Sequence, residues 1–110
     1  MQEYITEAAR LAEELRNTLD SLPDLATKYA TAEREYKIAL SKLTLQLRQD
    51  KMPVTILQDV TRGNKTVADL RFNRDIAKEL LKIAYEKINT LKLQLRIIQE
   101  NSKQEWTSIK

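Results

Sequence analysis

The hydrophobic pattern is strongest near the C-terminus, where seam positions recur at alternating spacings of three and four residues. The heptad seam comprises Val67, Leu70, Arg74, Ala77, Leu81, Ala84, Ile88, Leu91, Leu95 and Ile98. A repeat of 3.5 residues is typical of a helix that buries one seam against partner helices. Because neither Pro nor Gly interrupts it, the pattern predicts one long helix over residues 66–106.

Two amphipathic segments precede this long helix. The first predicts a helix over residues 2–19, whose apolar residues share one face. Ser21 and Asp24 then have the spacing of a capping box, and Pro23 stands where a first-turn proline is tolerated. A second helix is therefore predicted over residues 22–49. The sequence leaves open whether the chain turns back or only kinks at Pro23.

The connecting segment, residues 50–65, has no regular period. Thr55 could cap a short helical turn within it, and Gly63 could supply the left-handed residue that ends this turn. Thr66 is the predicted N-cap of the long helix. A connection of this length with its own helical turn predicts an antiparallel return of the chain.

The composition agrees with an all-α class, because one Gly and two Pro in 110 residues are too few turn residues for a sheet protein. We predict a single helical domain over residues 1–110. Its fold is a long antiparallel helical hairpin with an additional N-terminal helix and coiled-coil-like packing.

The long helix is also apolar beside its seam, at Ile76, Leu80, Ile83, Leu93 and Ile97. One neighbouring helix cannot cover so wide a face. The pattern therefore predicts a homo-oligomeric bundle, a dimer or a tetramer, with the number of copies and the helix orientation left open. The predicted oligomer seam consists of Leu70, Ala77, Leu81, Ala84, Ile88, Leu91, Leu95 and Ile98.

Candidate chemistry is sparse, because the chain contains no Cys and no His. The usual general base, the thiol nucleophile and the commonest metal ligands are thus missing. We predict a protein that is not an enzyme, with no catalytic, cofactor-binding or metal-binding residues. No apolar run approaches the roughly 20 residues that span a bilayer, and the N-terminal stretch does not resemble a signal peptide. A cytoplasmic protein without a membrane partner is expected.

The net charge of +3 is unevenly distributed. Residues 1–35 contain eight acids and four bases, a charge of −4, so residues 36–110 carry +7. Such asymmetry can indicate a polyanion partner. Alternatively, an antiparallel fold would place acidic residues 3–24 beside the basic residues near the C-terminus, and ion pairs would neutralise part of both charges.

The candidate contacts to a partner or a polyanion are Arg62, Asn64, Lys65, Arg71, Arg74, Lys87, Lys92, Arg96 and Trp106. Near the turn, a backbone nest at Gly63 with these bases could bind phosphate, or the stretch could be a helix cap in a solvated loop. Arg74 occupies a seam position. It either contacts a ligand or fixes the register by pairing with an acid near the turn, such as Asp50 or Asp59.

Trp106, the only tryptophan, has two interpretations as well. It could anchor a partner protein, because Trp is enriched at interface hot spots. It could instead cover the end of the bundle by packing against Tyr4 or Leu11.

A series of short motifs resembles the order of features in a known group of proteins. These motifs are YKIALSKLTLQLRQ (36–49), PVTILQD (53–59), RGN (62–64), VADLRFNRDIA (67–77), LKLQLRII (91–98) and EW (105–106). In their order, residues 30–106 resemble small helical proteins of unassigned function from phages and prophages of Gram-positive bacteria. The resemblance implies a bacterial host cytoplasm and supplies no catalytic residue.

Two functions are compatible with these observations. The long helix has a wide apolar face, and the sequence offers no cluster of catalytic or metal-binding residues. These features favour a phage-type accessory or inhibitor that binds another protein as a helical oligomer. The alternative is a nucleic-acid-associated protein that supports phage recombination or replication through basic helix faces.

Overall fold

The structure, a computed structural model, describes residues 2–109. It contains three helices: α1 (Gln2–Gln49), α2 (Val54–Gly63) and α3 (Lys65–Ile109). No strand occurs among the described residues, so the prediction of an all-α protein is confirmed. None of the helices in this part of the chain contains an apolar stretch sufficient to cross a membrane.

The first helix is longer than the sequence predicts. The separate helices predicted over residues 2–19 and 22–49 form one continuous helix, α1, and the predicted boundary between them is wrong. Ser21 does not cap a new helix, because its hydroxyl donates to the carbonyl oxygen of Thr18 at 2.6 Å. The hydroxyl of Thr18 in turn donates to the carbonyl oxygen of Glu14 at 2.8 Å. Both bonds belong to the interior of a helix.

The seam of α1 gives the physical reason that this helix continues through Pro23. Buried or half-buried positions repeat at spacings of three and four without interruption. They are Tyr4, Ala8, Leu11, Leu15, Thr18, Leu22, Leu25, Tyr29, Ala32, Tyr36, Ala39 and Leu43. Pro23 is exposed and lies outside this series. A proline in a helix interior costs about 3 kcal/mol, and burial of one continuous face offsets that cost.

Helix α1 ends in a Schellman motif at Lys51. The N–H of Lys51 donates to the carbonyl oxygen of Arg48, and the N–H of Met52 donates to that of Leu47, both at 3.0 Å. This pair of bonds places Lys51 in the left-handed region, with a φ of 64°. Gly63, the predicted left-handed residue, instead lies inside α2 without a positive φ, so that prediction is wrong.

The caps of α2 and α3 also differ from the predicted ones. Pro53 precedes α2 and no side chain caps that helix, so Thr55 lies in the first turn and is not a cap. The cap of α3 is Asn64, whose Oδ1 accepts a hydrogen bond from the N–H of Val67 at 3.1 Å. Asn64 thereby satisfies one of the free donors at the helix start, and Thr66 lies within the helix.

The chain divides into two compact units where the sequence predicts a single domain. The first unit contains Met1–Pro23 and Lys82–Lys110, and the second contains Asp24–Leu81. Each unit contains one segment of α1 and one segment of α3. In the first unit the segments are antiparallel: Tyr4 bonds Glu105, whereas Leu11 shares a depression with residues 94–98.

The heptad seam of α3 is the buried face of this helix. Val67 is 1% exposed, Ile88 5% and Leu91 3%. The residues assigned above to an oligomer seam are all buried or half-buried within one chain, namely Leu70, Ala77, Leu81, Ala84, Ile88, Leu91, Leu95 and Ile98. Because this seam is already partly or fully buried within one chain, its role in a contact between copies stays a prediction.

Candidate functional site

Three arginines and a tyrosine line one groove in the second unit. Tyr36 comes from α1, Arg62 from the last turn of α2, and Arg71 and Arg74 from α3. The volume of this arginine groove is about 410 Å³. Arg71 and Arg74 reach it together because residues three apart lie on the same side of a helix.

Arg74 is held firmly on one wall of the arginine groove. Its guanidinium carbon lies 4.5 Å from the centroid of the Tyr36 ring. Its Nε and Nη2 donate to Oδ1 of Asp75 at 3.0 and 2.9 Å, and Oε2 of Glu33 lies 3.7 Å from Nε. The hydrogen bond to Asp75, and then the charges of Asp75 and Glu33, raise the pKa of Arg74 against a smaller effect of burial.

These contacts bear on the two interpretations of Arg74, which are contact with a ligand and pairing with an acid. Arg74 pairs with acids, as the register-fixing interpretation predicts, but these acids are Asp75 and Glu33. Asp50 and Asp59, the acids suggested near the turn, are not its partners. Tyr36 is an additional partner that the sequence analysis missed.

Arg62 and Arg71 lack an acidic partner in the part of the chain that the structure describes. Nη2 of Arg71 donates to the carbonyl oxygen of Arg62 at 3.2 Å, which fixes the Arg71 side chain across from the end of α2. Within residues 2–109, neither guanidinium forms an ion pair with a carboxylate. The arginine groove therefore presents two uncompensated positive charges beside the paired Arg74.

Asn64 and Lys65, the other candidates near the turn, are used locally. The Asn64 side chain caps α3, and the Nζ of Lys65 bonds Oδ2 of Asp69 at 2.9 Å. That hydrogen bond raises the pKa of Lys65. A backbone nest requires a left-handed residue, and Gly63 has no positive φ, so the predicted phosphate nest does not form.

Lys87, Lys92 and Arg96 are exposed on α3 in the first unit. The expected ion pairs between acidic residues 3–24 and these bases do not occur. The acids pair within α1 instead, at the short spacings that bring neighbouring turns together. These pairs are Glu7–Arg10, Glu14–Arg10, Glu13–Arg16 and Asp24–Lys28. In the described part of the first unit, no ion pair engages Lys87, Lys92 or Arg96.

An apolar groove of about 580 Å³ lies beside Trp106 in the first unit. Tyr4, Ile5 and Ala8 of α1 line it together with Leu95, Ile98 and Trp106 of α3. Trp106 thus lies near Tyr4, one of the two neighbours suggested for it, and still exposes 52% of its surface. The hydrogen bond from the Tyr4 hydroxyl to Glu105, followed by the charge of Glu105, raises the pKa of Tyr4.

The apolar residues beside the seam of α3 remain uncovered in a single chain. In the second unit Ile76 and Leu80 are 48% and 49% exposed. In the first unit Ile83, Leu93 and Ile97 are 55%, 52% and 49% exposed, and we call these three residues the isoleucine stripe. Ile83 and Ile97 are two heptads apart, so they share one side of the helix.

Residues 2–109 contain no group of three or more Asp, Glu, His or Cys side chains arranged as metal ligands. Comparison of the chain with protein-family models, with curated proteins and with solved structures gave no significant match. The resemblance to phage proteins therefore stays a prediction.

Proposed function

We propose that the protein is a non-enzymatic accessory or inhibitor of the phage type, which binds another protein and acts as a helical oligomer. The observation that carries this proposal is the isoleucine stripe, where three large apolar side chains are about half exposed. Large exposed apolar side chains grouped on one side of a helix mark interaction sites in soluble proteins, because their burial contributes about 25 cal/mol per Å².

A second copy of the chain is the occupant that fits the isoleucine stripe. Its two isoleucines, Ile83 and Ile97, are two heptads apart, and the heptad period keeps one side of a helix against another helix over many turns. A two-fold pair of copies would place the same stripe on both sides of the interface. The apolar groove beside Trp106 then remains for the partner protein, since an exposed Trp next to a groove is a typical interface anchor.

Light scattering at micromolar concentration tests the self-association. We expect a mass above the 12.8 kDa of one chain, and the double variant Ile83→Gln/Ile97→Gln should restore the mass of one chain. Ile38→Gln is the matched control, because Ile38 is similarly exposed, at 48%, but lies on α1. A wild-type protein that stays monomeric at all concentrations would contradict the oligomer.

Affinity capture tests the partner groove. We expect a specific bacterial protein to be retained by the wild type and lost with Trp106→Ala. Tyr85→Ala is the control, because Tyr85 is an equally exposed aromatic residue of α3 that does not line the groove. Equal loss with both variants would show that the groove is not the binding surface.

A nucleic-acid-associated function is the second candidate, and the exposed Lys87, Lys92 and Arg96 favour it. Bases without acidic partners can release counterions from a phosphate backbone. The test is retention on DNA over a range of salt concentrations. Binding should weaken steeply as salt rises, and Lys92→Gln/Arg96→Gln should reduce the slope of log K against log salt by about 2. No binding at low salt would exclude this candidate.

A further inference from the structure

We propose that the arginine groove is a binding site for a dianionic phosphate group, the group carried by phosphate monoesters such as a mononucleotide. The site consists of Tyr36, Arg62, Arg71 and Arg74 and lies entirely within the second unit. It is independent of the isoleucine stripe and of the groove beside Trp106.

The positive charges in the arginine groove favour a ligand with two negative charges. Arg74 is already paired with Asp75 and Glu33, whereas Arg62 and Arg71 have no acidic partner among the described residues. Two uncompensated guanidiniums match the two negative charges of a phosphate monoester. A carboxylate or a backbone phosphodiester carries only one negative charge and would leave one guanidinium unpaired.

The shape of the donors supports the same ligand. Guanidinium groups bind phosphate oxygens through parallel N–H donors, which makes Arg the preferred residue for this recognition. The Arg71 side chain is held by the carbonyl oxygen of Arg62, and the Arg74 side chain by Asp75. Since part of the site is fixed before a ligand arrives, less side-chain entropy is lost on binding.

The bond from Arg71 to the carbonyl oxygen of Arg62 helps to hold the end of α2, and Arg62 lies in the last turn of that helix, where a cation is favourable. These contacts position both guanidiniums, but unlike Arg74 neither has an acidic partner among the described residues. Two guanidiniums of like charge beside one groove repel each other, and this repulsion lowers stability unless an anion lies between them. The groove volume of about 410 Å³ lies within the range of small-molecule sites, so a phosphate with an attached sugar can enter.

NMR of the full chain tests the proposal at the residues concerned. The Nε–H signals of the arginines are followed during titration with sodium phosphate, and with sodium chloride at equal ionic strength. Adenosine monophosphate and adenosine form a second pair that differs only in the phosphate. We expect saturable shifts at Arg62 and Arg71 with phosphate and the nucleotide, and none with chloride or adenosine.

Variants then measure the contribution of each guanidinium by calorimetry. Arg71→Gln and Arg62→Gln should each weaken nucleotide binding about tenfold or more, because each removes charge-assisted hydrogen bonds. Arg34→Gln is the matched control: it removes the same charge from an exposed position of the second unit and should leave affinity unchanged. Circular dichroism confirms that each variant folds, and Arg62 is exposed, so its replacement should not affect folding.

Two oligonucleotides of the same sequence distinguish the possible sources of the phosphate group. One carries a 5′-phosphate and the other a 5′-hydroxyl. Preference for the 5′-phosphate would extend the site to nucleic-acid ends, whereas binding of the mononucleotide alone would restrict it to small ligands. Both results support a dianion site. Detectable and equal binding of both oligonucleotides, equal weakening by Arg34→Gln, or no saturable shift with phosphate would overturn it.

Discussion

The guanidinium of Arg74 lies over the ring of Tyr36, with 4.5 Å between its central carbon and the ring centroid. Both residues occupy seam positions, Arg74 on α3 and Tyr36 on α1, where apolar side chains are the usual choice. A charged side chain is tolerated here because the aromatic face and the carboxylates of Asp75 and Glu33 replace the water it loses.

A double-mutant cycle should detect the coupling between Arg74 and Tyr36. Arg74→Met removes the charge at similar length, and Tyr36→Leu removes the ring. We expect a coupling free energy of about 1 kcal/mol from urea unfolding of the four proteins, since the contact is partly shielded from water. Arg34→Met combined with Tyr36→Leu should show no coupling. Purely additive effects of Arg74→Met and Tyr36→Leu would mean that the contact contributes nothing.

Burial along α3 could be predicted from the sequence because a single period describes it. Every seam position from Val67 to Ile98 is buried or half-buried, and the apolar residues beside the seam are exposed. The sequence could not show what covers the seam. Residues of α1 far away in the chain do so, and the same pattern would serve a contact between two copies.

The continuity of α1 was also present in the sequence, but a local signal contradicted it. Thr18, Leu22 and Leu25 continue the spacing of three and four across Pro23. Ser21 and Pro23 together indicate a helix start, and the predicted boundary rests on this local signal. The boundary is wrong because the continuous spacing of the seam outweighs the local preference for a helix start. Thr18 was hard to recognise as a seam residue, since a hydroxyl is buried only when it is bonded.

The arginine groove could be predicted only in part. Arg62, Arg71 and Arg74 stood out as bases near the turn, but Tyr36 is 26 residues or more away from each of them in the sequence. Their convergence depends on how α2 packs against α1 and α3. No periodicity within one helix encodes that packing.

Two isoleucines of α3 lie on different faces of the helix, one buried and one exposed. Ile88 is 5% exposed and Ile83 is 55% exposed, although both belong to the same helix of the first unit. Ile88→Ala should lower the free energy of unfolding by about 2–5 kcal/mol, because it opens a cavity in the seam. Ile83→Ala in dilute protein should change it by less than about 0.5 kcal/mol. Equal effects in denaturant unfolding would mean that the register of α3 is wrong.

Replacing Pro23 tests the continuity of α1. In Pro23→Ala, the new N–H at position 23 can donate to the carbonyl oxygen of Leu19, and the steric conflict of the proline ring disappears. The free energy of unfolding should rise by up to about 3 kcal/mol in thermal or urea denaturation. Ala26→Gly, at another exposed position of α1, is a control that should lower it by about 1 kcal/mol. An unchanged or lowered stability of Pro23→Ala would indicate that the helix ends at this residue.

The hydrogen bond from Tyr4 to Glu105 predicts a specific loss of stability in alkali. Glu105 raises the pKa of Tyr4, first through the hydrogen bond and then through its charge, so the folded state favours the protonated phenol. The contribution is therefore complete below the unfolded pKa of about 10 and is lost as the pH rises through the higher folded value. The measurement is the free energy of unfolding between about pH 8 and pH 12 for the wild type and Tyr4→Phe. The wild type should lose its advantage over Tyr4→Phe only above about pH 10, and Glu105→Gln should reduce this difference. Parallel pH curves for the wild type and Tyr4→Phe would show that the phenol of Tyr4 does not bond Glu105 in solution.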